Sequence, residues 1–305
     1  MKTPAYYAYI VAYVVVASVF TVSCESVLNP NDSPEGKIAF ASGNDIYVIF
    51  ADGTKQIKLT SIGGNTRSPS WSPDGTQLVY MSLNDIYVMD SDGSNQVRLT
   101  DSPGTEFGPS WSPVGGKIAF SSSRDGNWEV YIMDVDGNNQ TNLTQHPATD
   151  SSPSWSPDGT RIVFTSWRDG ENIDEIYVMN ADGTDQHRLT MNNVPDRYPA
   201  WSPNGQKIAF TSWRDGFPEI YTMNPDGAGQ VRLTHLVSES EFSTWSPDGG
   251  MIAFASDLYW RSHYQGDGDF AFFSDIYIIS ADGSEPIRLT VNPEIDTTPS
   301  WAPLP

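Results

Sequence analysis

Acidic residues recur at one fixed distance from a repeated tryptophan. Glu106, Asp150, Asp196 and Asp296 each stand five residues before Trp111, Trp155, Trp201 and Trp301. In the copy that ends at Trp245 the same position is Ser240, flanked by Glu239 and Glu241, and in the copy that ends at Trp71 it is Thr66. Converging carboxylates repel one another unless a positive charge sits among them. Such a ring would hold calcium or another cation, or a Lys or Arg of a basic peptide. The alternative is that each acid caps its own loop and faces solvent. Paired carboxylates also perform acid–base chemistry on glycosidic bonds, so an enzymatic reading would start at the same residues.

A second concentration of chemistry lies in residues 257–274, DLYWRSHYQGDGDFAFFS. It holds Tyr259, Trp260, Arg261, His263, Tyr264 and Phe270. Trp, Tyr and Arg dominate binding hot spots, and the rings suit a peptide or a sugar. The plainer expectation is a hairpin extension whose rings cover neighbouring structure. Elsewhere the chain is poor in catalytic spacing. Its single cysteine, Cys24, excludes an internal disulfide and a cysteine-based zinc cluster. The four histidines are scattered, and there is no G-x-S-x-G elbow. Asp134–Asn138 partly resembles a calcium loop but lacks the third acid and the distal Glu. No cofactor is expected.

The elements that position these residues are written as a repeat. Trp71, Trp111, Trp155, Trp201, Trp245 and Trp301 are separated by 40, 44, 46, 44 and 56 residues. Each interval carries four short β-type runs: one ending in the tryptophan, an IAF-like run, an IYVM-like run and a run ending in Leu-Thr. SPDG and ADG turns separate them, with Pro presetting φ and Gly supplying positive φ. No sustained helical stripe follows residue 23. Four short antiparallel strands at this period describe a propeller blade. The first copy has the turn at Ser33-Pro34 but no tryptophan strand, and the last copy has the tryptophan strand alone. The fold class is therefore all-β: a six-bladed propeller over residues 36–305, closed by the C-terminal strand in the first blade.

The repeats W-S-P-D-G-x-x-I-A-F and E-I-Y-x-M-x-x-D-G-x-x-x-x-R-L-T, over about residues 33–303, resemble the TolB-type (WD-repeat-like) β-propeller repeat. That resemblance implies the same fold and a peptide or protein partner entering the central channel. The family's namesake carries an additional N-terminal α/β domain, which is not expected here.

Strand alternation sorts the loops onto two faces. The SPDG and ADG turns share a short, uniform face. The loops after Leu-Thr and between the second and third strands share a longer, variable one, where function usually resides. The recurring acids enter the innermost strands and should ring the channel mouth on that face. Residues present in every blade are read as blade-building, the tryptophans as packing between blades. Arg124-Asp125-Gly126, Arg168-Asp169-Gly170 and Arg214-Asp215-Gly216 are read as turns with an exposed Arg–carboxylate contact.

Lys plus Arg number 17 against 38 Asp plus Glu, a net charge of −21. This excludes nucleic acid as a partner. Residues 1–23 read as an export signal, with Lys2 before an apolar run. Val22-Ser23-Cys24 fits a lipobox, although Thr21 departs from it, so Cys24 is the expected lipidation site. An uncleaved anchor is the alternative. Residues 24–35 read as a tether. The expectation is an exported, membrane-attached, monomeric protein of the periplasm or cell surface that binds an envelope protein or peptide without catalysis. A carbohydrate-binding module or a polysaccharide-acting enzyme on the variable face is the alternative.

Overall fold

The structure, a computed structural model, describes residues 36–61, 63–169, 173–236, 238–257, 273–284 and 286–304. The signal, Cys24 and the tether lie outside these residues, as do Tyr259, Trp260, Arg261, His263, Tyr264 and Phe270.

Six four-stranded antiparallel sheets form the blades. In blade order from the first, the inner strands are Asp296–Trp301, Arg67–Trp71, Glu106–Trp111, Asp150–Trp155, Asp196–Trp201 and Ser240–Trp245. The second strands are Lys37–Ser42, Gln77–Ser82, Lys117–Ser122, Arg161–Ser166, Ile208–Ser212 and Met251–Ser256. The third are Asp45–Phe50, Asp85–Asp90, Glu129–Asp134, Glu175–Asn180, Glu219–Met223 and Asp275–Ser280. The outer strands, from Ile57–Lys58 to Ile287–Arg288, have two residues each. Such short edges offer little template for unwanted pairing.

The C-terminal strand closes the ring as expected. Trp301 pairs with Ile38 and Asp296 with Ser42. The core is divided into six hydrophobic wedges, one at each blade boundary. Trp155 of the fourth blade packs on Ala119 and Val130 of the third, and its Nε1 donates to Ser110 O at 3.1 Å. Trp301 sits with Ile38 and Phe40 of its own blade and with Ala253 and Ile276 of the sixth.

Local sequence explains the repeat. In the SPDG turn, Ser156 Oγ and Thr160 N both donate to Asp158 Oδ1, at 2.6 and 3.1 Å. In the ADG turn, Gly183 has φ +85, and a Cβ there would lie 2.7 Å from Leu143 O of the preceding blade. Only glycine serves both demands. The Glu-Ile-Tyr and Arg-Leu-Thr segments are chemically coupled. Thr190 Oγ1 accepts from Ile176 N at 2.9 Å and donates to Glu175 Oε2 at 2.5 Å, and Arg188 bonds the same carboxylate.

Every inner strand also carries a bulge just past its first residues. The residue there has positive φ in all six blades: Ser68, Gly108, Ser152, Tyr198, Phe242 and Thr298. A left-handed conformation costs a non-glycine residue roughly 1–2 kcal/mol, which neighbouring contacts offset. Ser68 N donates to Thr298 Oγ1 of the adjacent blade at 3.1 Å, and Ser152 N to Ser121 Oγ at 2.9 Å.

Candidate binding site at the channel mouth

The bulge and the strand period assign neighbouring residues to different surroundings. Thr66, Glu106, Asp150, Asp196, Ser240 and Asp296 are buried within their blades. The residues that follow them, Arg67, Phe107, Ser151, Arg197, Glu241 and Thr297, are half-buried.

Three of the acids have an internal counter-ion. Arg124 meets Glu106 at 3.0 Å, Arg214 meets Asp196 at 2.8 Å, and Arg168 bonds Asp150. The carboxylates have no solvent exposure, and the arginines are 13–24% exposed. The Arg-Asp-Gly contact is thus a buried ion pair, where a surface contact was expected. Burial still outweighs its partners at Asp150 and Asp196 and holds both carboxyls above the ordinary aspartate range, although Ser166 and Arg168, and Ser212 and Arg214, favour the ionised forms. A cation or basic peptide would have to displace these arginines to reach the three acids. The aspartates of the turns serve the same blades: Asp125 and Asp215 accept from the hydroxyls of Tyr131 and Tyr221.

Acid and arginine occur together in the third, fourth and fifth blades. The second and sixth have neither, using Thr66–Ser82 and Ser240–Ser256 hydroxyl contacts at 2.9 and 3.4 Å. The first blade breaks the rule. Asp296 is fully buried, its second-strand turn has Asn44 at the position of those three arginines, and its Oδ1 has no hydrogen-bond partner. Asn292 Nδ2 donates to Oδ2 at 2.8 Å. Burial pushes its carboxyl up to about 6, against the pull of Ser42, Thr290 and Asn292. A folded-state value raised above the unfolded one adds stability below the unfolded value, and that stability is lost as pH rises through about 6. Asp296→Asn is therefore expected to stabilise the protein by roughly 1–3 kcal/mol at pH 8 and to do much less at pH 4. Denaturant melts at the two pH values measure this; equal shifts at both would refute it.

Glu241, on the inner strand of the sixth blade, has Arg197 of the neighbouring fifth blade as its opposing charge. Burial, then the charge of Glu239, pushes its carboxyl up to about 7 although Arg197 pulls it down. Glu239 itself is tied to the sixth blade, its N–H bonding Asp257 Oδ1 at 2.7 Å.

Beside the acids lies a cavity of about 340 Å³ on the variable face, built by the second to fifth blades. This is within the range of ~300–1,000 Å³ common for ligand sites. Phe107, Trp128, Trp167, Tyr198, Arg67 and Arg197 give it its character. Phe107 and Trp128 meet edge to face with centroids 6.4 Å apart. Tyr198 packs on Phe242 at 4.3 Å, so the two aromatic bulge residues support one another. Burial pushes the Tyr198 hydroxyl up to about 12, keeping it a neutral donor. Asp174 is held by Arg197 at 2.6 Å and by the Trp167 indole, and Arg197 lies over Trp213 at 5.2 Å. Among the described residues, no three His, Cys, Asp or Glu are placed to hold a metal ion.

The sequence reading pointed to this variable face but not to these residues. Trp128 occurs in one blade only, and Arg67 follows a threonine where the pattern was followed through acids. Trp167 precedes an Arg-Asp-Gly triplet that was read without its tryptophan.

Residues 84–197 match the family model described as the TolB beta propeller domain. No curated protein matches the sequence significantly. TolB from Acinetobacter baumannii has a similar structure, with a TM-score of 0.73 and 23% identity, covering 89% of this chain and 68% of that one. A putative TolB from Agrobacterium tumefaciens gives 0.69 and 24%, covering 84% and 89%. An oligogalacturonate lyase in complex with manganese gives 0.53 and 16%, covering 85% and 75%. At these identities the likeness is one of fold.

Proposed function

Because this chain folds as a six-bladed β-propeller and its residues 84–197 match the TolB beta propeller domain, we propose that it is a non-enzymatic binding protein of the cell envelope that takes a protein or peptide partner at its channel mouth. In this reading residues 1–23 direct export, Cys24 carries the lipid, residues 24–35 tether the propeller to the membrane, and the protein acts as a monomer. The observation that carries the reading is the cavity of about 340 Å³ lined by Phe107, Trp128, Trp167 and Tyr198 with two arginines. Aromatic and arginine anchors in a partly enclosed pocket are the features of an interface centre. Glu239 and Glu241 add acidic groups on the sixth-blade side, and Leu83, Met191 and Val291, each more than half exposed, add apolar surface to the same face.

A photo-crosslinking residue at position 107, placed in the intact cell envelope, tests this. One dominant adduct is expected from position 107 and none from position 184, an exposed site in a turn of the opposite face. Tyr198→Ala or Trp167→Ala should weaken retention of that partner about tenfold or more. Equal adducts from both positions, or none from 107, would overturn the reading.

A further inference from the structure

The cavity's charge is uneven. Arg197 is matched by Asp174 at 2.6 Å and by the face of Trp213. The other described arginines also have partners: Asp85 for Arg98, Glu175 for Arg188, Glu219 for Arg232, Asp275 for Arg288, and the Trp201 ring for Arg161. Arg67 is the exception among the described residues. It lines the cavity, it is half-buried, and its Nε is enclosed without an acceptor. The arginine-bearing blades supply a carboxylate at the position preceding the bulge pair, but here that residue is Thr66, whose hydroxyl is engaged by Ser82 at 2.9 Å. The acid that lines the cavity, Asp174, is already committed to Arg197 and Trp167.

An arginine held without a counter-ion beside an aromatic-lined cavity presents an unmatched set of N–H donors. Its planar fork matches a carboxylate with two parallel hydrogen bonds. Phe107, Trp128, Trp167 and Tyr198 supply an apolar wall for a ring or aliphatic group attached to that carboxylate. Resting on the binding reading above, we propose that Arg67 recognises a carboxylate of the partner peptide, an acidic side chain or a free C-terminus, whose adjacent aromatic or apolar group fills the cavity. The mouth is then read from two sides: Arg67 of the second blade takes the anion, and the Glu241 side of the sixth blade accepts donors.

Two probes that differ only in charge test this: N-acetyl-phenylalanine and N-acetyl-phenylalaninamide, titrated by ligand-observed NMR into the full-length protein in mild detergent at pH 7.5. The acid is expected to bind at least about tenfold more tightly than the amide, as charge-assisted hydrogen bonds are the stronger ones. Arg67→Gln should abolish that preference and Arg67→Lys should keep part of it. Both variants should melt like the wild type, because the Arg67 side chain makes no hydrogen bond or ion pair with another described residue and its strand pairing with Met81 is through the backbone. Equal binding of acid and amide, absence of binding by both, or a preference that survives Arg67→Gln would overturn the proposal. Crosslinks from position 107 that persist in such a case leave the binding reading standing; their absence removes it independently.

Discussion

Replacing Arg168 by methionine is expected to cost about 3–5 kcal/mol of stability, far more than a surface salt bridge would. Asp150 has no solvent exposure, its Oδ1 has no hydrogen-bond partner, and Arg168 is its neutralising charge. Removing the guanidinium strands a carboxylate whose proton affinity burial has already raised. The loss should therefore shrink in acid, where Asp150 takes up a proton, and grow at pH 8. The double variant Arg168→Met with Asp150→Asn should recover most of it, since a buried pair is costly to break but often nearly neutral to replace. A double-mutant cycle by denaturant unfolding at pH 5 and pH 8 measures both effects. A loss below about 1 kcal/mol, or one that is the same at both pH values, would mean that the pair is solvated.

Deleting residues 294–305 is expected to abolish the cooperative unfolding transition. The deletion removes the inner strand of the first blade, leaves Ile38–Ser42 as an unpaired edge, and opens the wedge in which Trp301 meets Phe40 and Ala253. It also removes the latch to the second blade, where Trp71 Nε1 donates to Ser300 O at 3.1 Å. The milder Trp301→Ala should cost about 3–5 kcal/mol, as for other buried aromatic truncations. Calorimetry distinguishes the outcomes. A truncated protein that melts at the wild-type temperature would show that the last strand is not the clasp of the ring.

The fold was legible because the repeat states it six times. The tryptophan spacing marks the blades, and the two incomplete ends, Ser33-Pro34 and Trp301, are complementary halves of one blade. The assignment of loops to two faces followed from strand alternation, and the cavity does lie on the variable one. The electrostatics were half legible. The co-occurrence of an acid before the tryptophan with an arginine after the second strand, in the third to fifth blades, was visible in the letters. Read separately, the acids suggested a ring and the arginines suggested surface turns; only together do they make buried pairs. The bulges were not legible, because Ser, Gly, Tyr, Phe and Thr share no chemistry at that position. Nor was the cavity, whose wall takes one or a few residues from each of four blades and has no contiguous motif.

The division of the core into boundary wedges separates what holds the ring from what hangs on it. Ser256 and Asp275 remain partners although 18 residues stand between them, while Ser42 and Asp45 pair across two. A connector between the second and third strands can therefore lengthen, shorten or change composition without altering a wedge. The variable face is free to diversify in that way, like a mounting plate whose fittings are exchanged while the frame stays fixed.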